Sequence, residues 1–229
     1  TEKAAEAMAA NSSPKVIRRI AVVVAMQEEA GPLIAGLKLS KRVGGIPGAP
    51  SIVHEGAYEG GFVAVVTPGI DGKTGVNLIG TDAAALTTFL AIRHLEPDVV
   101  VTAGTCGGFK RQGGEVGDAY CVTAFQHHDR RISIPGYDAL GVGRREALKT
   151  PKLVKDLGLK TGLCSTGNSL DLAPDDDQRM ADAVAKDMEG AAVAWAADLA
   201  GKVPVLGIKV VTDIVEGPRP RHQGRHRHR

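Results

Sequence analysis

The reactive side chains of this sequence cluster where apolar runs begin or end. Lys186-Asp187-Met188-Glu189-Gly190-Ala191-Ala192-Val193-Ala194-Trp195 sets an acid where an Ala-rich helix begins. Unpaired N–H groups and the helix dipole favour a carboxylate there, which is one sufficient reading of Glu189. A second reading uses its small neighbours. Gly190, Ala191 and Ala192 leave room for a ligand, and a carboxylate accepts two hydrogen bonds side by side, as a vicinal diol such as a ribose 2′,3′ pair offers. Three other apolar runs end in polar or Gly-rich stretches: Met26-x-x-Glu29, Gly104-Thr105-Cys106-Gly107-Gly108 and Thr212-Asp213. In open α/β sheets, ligands bind beyond the carboxyl ends of the strands. Glu29, Thr105, Glu189 and Asp213 are therefore candidates for one cleft. Each has a plainer reading when taken singly. Glu29 is then a first-turn helix acid, Asp213 an N-cap or turn residue, and Gly107-Gly108 a turn.

The elements that must carry these residues follow from the pattern of the chain. Ile17 to Ala25 reads as a buried, β-branched strand, with a helix opening at Gly31-Pro32. Ile52–Glu55 and Phe62–Thr67 read as a strand pair joined through Gly60-Gly61. Pro68 to Gly75 is a Gly-rich loop, and Ala83–Leu95 is an apolar helix. Asp98–Ala103, Asp118–Phe125, Thr161–Ser165 and Pro204–Val211 read as further strands. Pro151–Leu157 and Asp175–Val184 read as helices. The alternation predicts an α/β single domain with a central mixed, mostly β-branched sheet and helices on both faces.

Composition narrows the function classes. With 229 residues the chain can bury a full core, and at 43% apolar but 3% aromatic that core must be Val, Ile, Leu and Ala. A net charge of +2 carries no global nucleic-acid signature. Cys106, Cys121 and Cys164 form no Cys-x-x-Cys pair and read as reduced thiols of a cytoplasmic protein without a zinc site. No apolar run reaches the roughly 18 residues that a membrane helix needs. His128-Asp129 lacks the three or four ligands a metal requires, so no metal is expected.

Taken together, these stretches resemble the plant-type 5′-methylthioadenosine nucleosidases of the purine nucleoside phosphorylase/nucleosidase family. The matching segments are Ala25–Ala30, Ala103–Lys110, His128–Ile132, Tyr137–Gly143, Ser165–Gly167, Lys186–Val193 and Val211–Val215, spread over residues 18–217. The resemblance implies a nucleoside phosphorylase-like fold and hydrolysis of the bond between adenine and a 5′-thioribose. It places the general acid at Asp213, the water-activating base at Glu29, and the ribose-binding acid at Glu189 with Met188 beside the sugar. Thr105 and Met26 then line the water and sugar pocket, and the main chain at Leu170 and Asp171 reads the adenine edge. Water is the second substrate, so no cofactor is expected. The resemblance further implies a homodimer, with Ile134, Pro135 and Tyr137 as candidate contacts.

Two rivals differ in class. A purine nucleoside phosphorylase would need cations for phosphate, where this chain carries Glu28 and Glu29. A silent nucleoside-binding or storage relative would need no acids, whereas Glu29, Glu189 and Asp213 are all present. Asn168 stands where the family carries Asp, an expected weakening of the support for Asp213 or the base. Residues 1–16 read as a flexible tail. From Gly217 onward the chain is Gly, Pro, Arg, His and Gln, so residues 217–229 are expected to be a disordered basic tail in place of the family's final helix. That tail has no aromatic residue or module for nucleic acid.

Overall fold

Alternate residues of the first strands face different helices, and that parity sets the layers. The computed structural model describes residues 16–173 and 175–216. Val22 of β1 (Arg19–Val23) and Val63 and Val65 of β4 (Gly61–Thr67) pack under α1 (Gln27–Gly36). Ala64 and Val66 of β4 pack instead with Ala91 and Leu95 of α2 (Thr81–Leu95). A strand covered on both sides needs apolar residues at both parities, which these runs supply. β3 (Ile52–Tyr58) pairs antiparallel with β4, and β2 (Ser40–Lys41) adds to the edge of β3. The β3–β4 turn is Glu59-Gly60, both at positive φ (44° and 77°), one residue before the expected join. Such left-handed pairs match the twist of a tight hairpin.

The expected mixed sheet is present, but part of it closes on itself. β5 (Val99–Gly108), β10 (Val205–Ile214), β6 (Ala119–His127), β8 (Lys160–Thr166) and β9 (Ala183–Asp187) pair in a barrel-like ring, since β5 bonds both β10 and β9. β1, β4, β3 and β2 extend from β5 as a wing, and β7 (Arg145–Glu146) flanks β6. Ring closure needs bent strands. Register slips supply the bends at Thr123, Val184 and Thr212, each in a ring pair. α6 (Gly190–Leu199) is buried along most of its length and packs with Ala84 and Ile92 of α2 and Val100, Val122 and Cys164 of the ring. Its alanines permit that close approach. α3 (Asp138–Val142), α4 (Pro151–Leu157) and α5 (Asp176–Arg179) are short.

Three expectations are corrected. The first helix starts at Gln27 rather than Gly31, because Glu29 Oε2 accepts the Met26 N–H at 3.3 Å and closes a turn ahead of Pro32. Asp175–Val184 is not one helix. Only α5 forms, since Ala183 to Asp187 is drawn into the gap between β8 and β5 as a strand. Gly104 to Gly108 is strand rather than loop. A Cβ at Gly107 or Gly108 would lie 2.7 Å from Val215 Cγ2 or Val211 Cγ1, so these glycines let β10 press against β5. The tail expectations for residues 1–15 and 217–229 lie outside the described residues. Among the described residues, no helix is long and apolar enough to cross a membrane.

Candidate active site

The ends of β1, β5, β9 and β10 meet around a cleft of about 240 Å³. Met26, Glu29, Thr105, Leu170, Met188, Glu189 and Asp213 all line it. Asp171 does not. Its carbonyl faces Lys186 Nζ at 3.3 Å. A hollow of about 320 Å³ elsewhere carries Arg145, Glu146 and Asp198, but Arg145 and Asp198 pair with each other at 3.1 Å. The strand-end cleft gathers Glu29, Asp187, Glu189 and Asp213 from three separate segments, which is the more telling feature of a reactive site.

Each acid is held by a different device. Glu29 lies along β5, where Gly104 makes room: a Cβ there would be 3.2 Å from Glu29 Oε1. Oε1 accepts the Thr105 N–H at 2.8 Å and the Thr105 hydroxyl at 2.6 Å. Both donors share one oxygen, while Oε2 takes the longer bond from Met26. Glu189 is the N-cap residue of α6, yet its side chain accepts the N–H of Gly80, the residue before α2, at 2.9 Å. Burial, with the nearby Asp187 charge, pushes its carboxyl above the usual range. Asp213 follows the slip at Thr212 and sits opposite Gly107, where a Cβ would be 3.5 Å from Asp213 Oδ2. A bulge next to a cleft re-aims the residue that follows it. Asp213 is exposed to the cleft.

Beneath these acids lies an ion pair that sequence reading missed. Lys209 Nζ meets Asp187 Oδ2 at 2.8 Å, and both side chains are almost fully buried. Thr166 Oγ1 donates to Asp187 Oδ1 at 2.6 Å, and the Gly190 N–H donates to Oδ2 at 2.8 Å. Burial alone would raise the Asp187 carboxyl. Lys209 and these hydrogen bonds overcome it and hold the group below the ordinary value. The same pairing holds the Lys209 ammonium above its ordinary value against its own burial. Burial also pushes the Cys106 thiol up to about 12, so this cleft-lining sulfur is not a nucleophile. The signal for Lys209 was available: a lysine inside Val205-Leu-Gly-Ile-Lys-Val-Val must find a partner if the run is a buried strand.

Asn168 does not support Asp213 or Glu29. Its Oδ1 accepts the Thr81 N–H at 2.8 Å, and its Nδ2 donates to Thr81 Oγ1 at 2.7 Å, at the start of α2. His128 is buried and bonds Ser165 Oγ at 3.1 Å through Nδ1. Its neighbour His127 is buried with no hydrogen-bond partner on either ring nitrogen among the described residues.

The closed ring with a winged mixed sheet, and acids gathered at its strand ends, define an α/β protein built to act on a small polar ligand. The phosphorylase superfamily model matches residues 19–226. The chain belongs to the phosphorylase superfamily. Within it, the chain is similar to a 5′-methylthioadenosine nucleosidase of Arabidopsis thaliana, 45% identical over 89% of this chain and 78% of that one. It is also similar to a 5′-methylthioadenosine/S-adenosylhomocysteine nucleosidase of the same organism, 46% identical over 89% and 82%. The solved apo structure of the Arabidopsis thaliana 5′-methylthioadenosine nucleosidase superposes with a TM-score of 0.87, covering 90% of this chain and 86% of that one at 45% identity.

Proposed function

We propose that this protein is a hydrolase that cleaves the N-glycosidic bond of 5′-methylthioadenosine, releasing adenine and 5-methylthioribose, a step of methionine salvage. The observation that carries this reading is the convergence of Glu29, Glu189 and Asp213 from three separate segments on one cleft. Breaking such a bond leaves electron density on the base and positive charge on the sugar, in an oxocarbenium-like transition state. Asp213, exposed in the cleft, is the acid that protonates the purine at N7. Glu29, ordered by Thr105, holds and deprotonates the attacking water. Glu189 accepts the ribose hydroxyls, with Met26 and Met188 against the sugar. The main chain at Leu170, which lines the cleft, meets the adenine edge in this reading.

Water rather than phosphate is the second substrate. Glu29, Asp187, Glu189 and Asp213 line the cleft, and Lys186 Nζ is engaged by three backbone carbonyls. A dianion would meet net repulsion there. The protein works as a homodimer in this reading. Ile134 and Tyr137 are exposed at 55% and 49%, and Leu140 beside them at 52%, an apolar patch that a second copy would cover. The test is adenine release from 5′-methylthioadenosine by the purified protein, with and without phosphate. Equal rates are expected. A requirement for phosphate, with a sugar 1-phosphate as product, would overturn the hydrolase reading.

A further inference from the structure

Lys186 stands at the end of β9, 7% exposed, with its ammonium beneath the loop that forms one lip of the cleft. Nζ donates to three consecutive carbonyls: Ser169 at 2.7 Å, Leu170 at 2.9 Å and Asp171 at 3.3 Å. Three carbonyl dipoles aimed at one point repel one another unless a cation sits between them. The loop has little else to hold it by packing. Ser169, Leu170 and Asp171 are exposed, Leu170 at 73%, and Leu172 is half-buried. Lys186 therefore ties three successive carbonyls of this loop to one buried charge. Each carbonyl has two lone pairs, so an oxygen bonded to Lys186 can still accept a second donor from the cleft side.

We propose that Lys186 is a positioning residue: by tying down the 169–171 loop it holds the Leu170 main chain, where the loop lines the cleft, as an acceptor toward the base and so selects a 6-aminopurine over a 6-oxopurine. The proposal rests on the adenine-nucleoside reading above. An exocyclic amino group brings a donor to such an edge. A 6-oxo group brings a carbonyl against carbonyls, leaving polar groups unpaired, and sites built on hydrogen bonds reject such analogues strongly. If the loop loses its cation, its carbonyls swing apart and the edge blurs. Chemistry at Asp213 and Glu29 then proceeds with a poorly held base, which affects KM before kcat.

The test compares wild type with Lys186→Met and Lys186→Arg on 5′-methylthioadenosine and its 6-oxo counterpart, 5′-methylthioinosine. Amide hydrogen exchange is followed in parallel on the peptide spanning residues 167–173. Lys186→Met is expected to raise KM for the amino substrate about tenfold, with kcat changed less than about threefold, and to shrink the amino-over-oxo preference about tenfold. Exchange should accelerate in that peptide while the sheet stays protected. Lys186→Arg keeps the charge and should recover part of the KM. A folded Lys186→Met with KM and preference within about twofold of wild type overturns the proposal. Should Lys186→Met not fold, Lys186→Arg decides alone: about a threefold KM rise is expected, and an unchanged KM and preference overturns it. If wild type releases no adenine, the functional reading fails separately. The exchange data still judge Lys186, since an unaltered loop in the variants removes its positioning role.

Discussion

Asp187 and Asp213 line the same cleft and are built for opposite ends. Asp187 is 4% exposed, pairs with Lys209, and has both oxygens filled by donors from Thr166 and Gly190. Asp213 is exposed, and its near neighbours are Gly107, which withdraws bulk, and the Thr212 hydroxyl at 3.4 Å. A saturated carboxylate in a dry site cannot take or give a proton without breaking its network. An unsaturated one facing open space can. The difference teaches that acids near a cleft are sorted by their partners, and the buried acid serves the open ones by fixing the start of α6.

The largest break in this comparison comes from orphaning the buried acid. Lys209→Met should destabilise the fold by about 3–5 kcal/mol, because it leaves an uncompensated buried charge. Denaturant unfolding measures it, and Asp187→Leu added to Lys209→Met should restore part of the loss. A change smaller than about 1 kcal/mol in the single variant would mean the pair is not the support described. The open acids should behave in reverse. Asp213→Asn and Glu29→Gln should each lower turnover by about 10²-fold or more, with unfolding free energy within about 0.5 kcal/mol of wild type. Steady-state adenine release with circular dichroism melts checks both halves. Full activity in folded Asp213→Asn would take that residue out of the chemistry.

Glu189 lies between these extremes, bonded to Gly80 yet facing the cleft. Glu189→Gln keeps an oxygen for the Gly80 N–H, so the fold should hold while KM and kcat each worsen about tenfold. Retention of both constants would separate Glu189 from the sugar.

Acid should strip stability from the buried side first. His127 is pushed down to about 4 from 6.5, chiefly by burial and then by the Arg130 charge. Its folded state is neutral, so its contribution is whole above pH 6.5 and is lost as pH falls from 6.5 toward 4. At pH 5 the loss is about 2 kcal/mol. His128, also pushed down by burial, adds in the same direction. Glu189 opposes them, because its carboxyl is held up in the fold. Unfolding free energies at pH 7 and pH 5 should therefore converge in His127→Leu. A slope identical to wild type would show that His127 is not the group responsible.

The smallest effect is expected at Asn168, which belongs to the structural side. Asn168→Asp should change stability by less than about 1 kcal/mol, since Thr81 can donate its hydroxyl where it now accepts. Turnover should move less than about threefold, as its bonds go to Thr81 and Asp129. A hundredfold loss of turnover would return Asn168 to the catalytic group.

Local pattern by itself determined most elements of this protein. The β-branched runs at 19–23, 99–103 and 205–211, the apolar helix at 81–95 and the hairpin at Gly60 are written in neighbouring residues, because burial at period 2 or 3.6 leaves a mark on the chain. The acids at strand ends were legible as candidates too, because apolar runs begin or end at them, while each taken singly also fits a cap or a turn. Tertiary structure alone decided three matters. Ala183 to Asp187 became a strand because the gap between β8 and β5 outweighs a weak local preference. The sheet closed into a ring because bulges at Thr123, Val184 and Thr212 accumulate bend, and a bulge has no signature in one strand read alone. Lys209 found Asp187, 22 residues away, and Lys186 found the carbonyls of the 169–171 loop. The partner of a buried charge is chosen by the packing around it, and only the folded chain brings the two together.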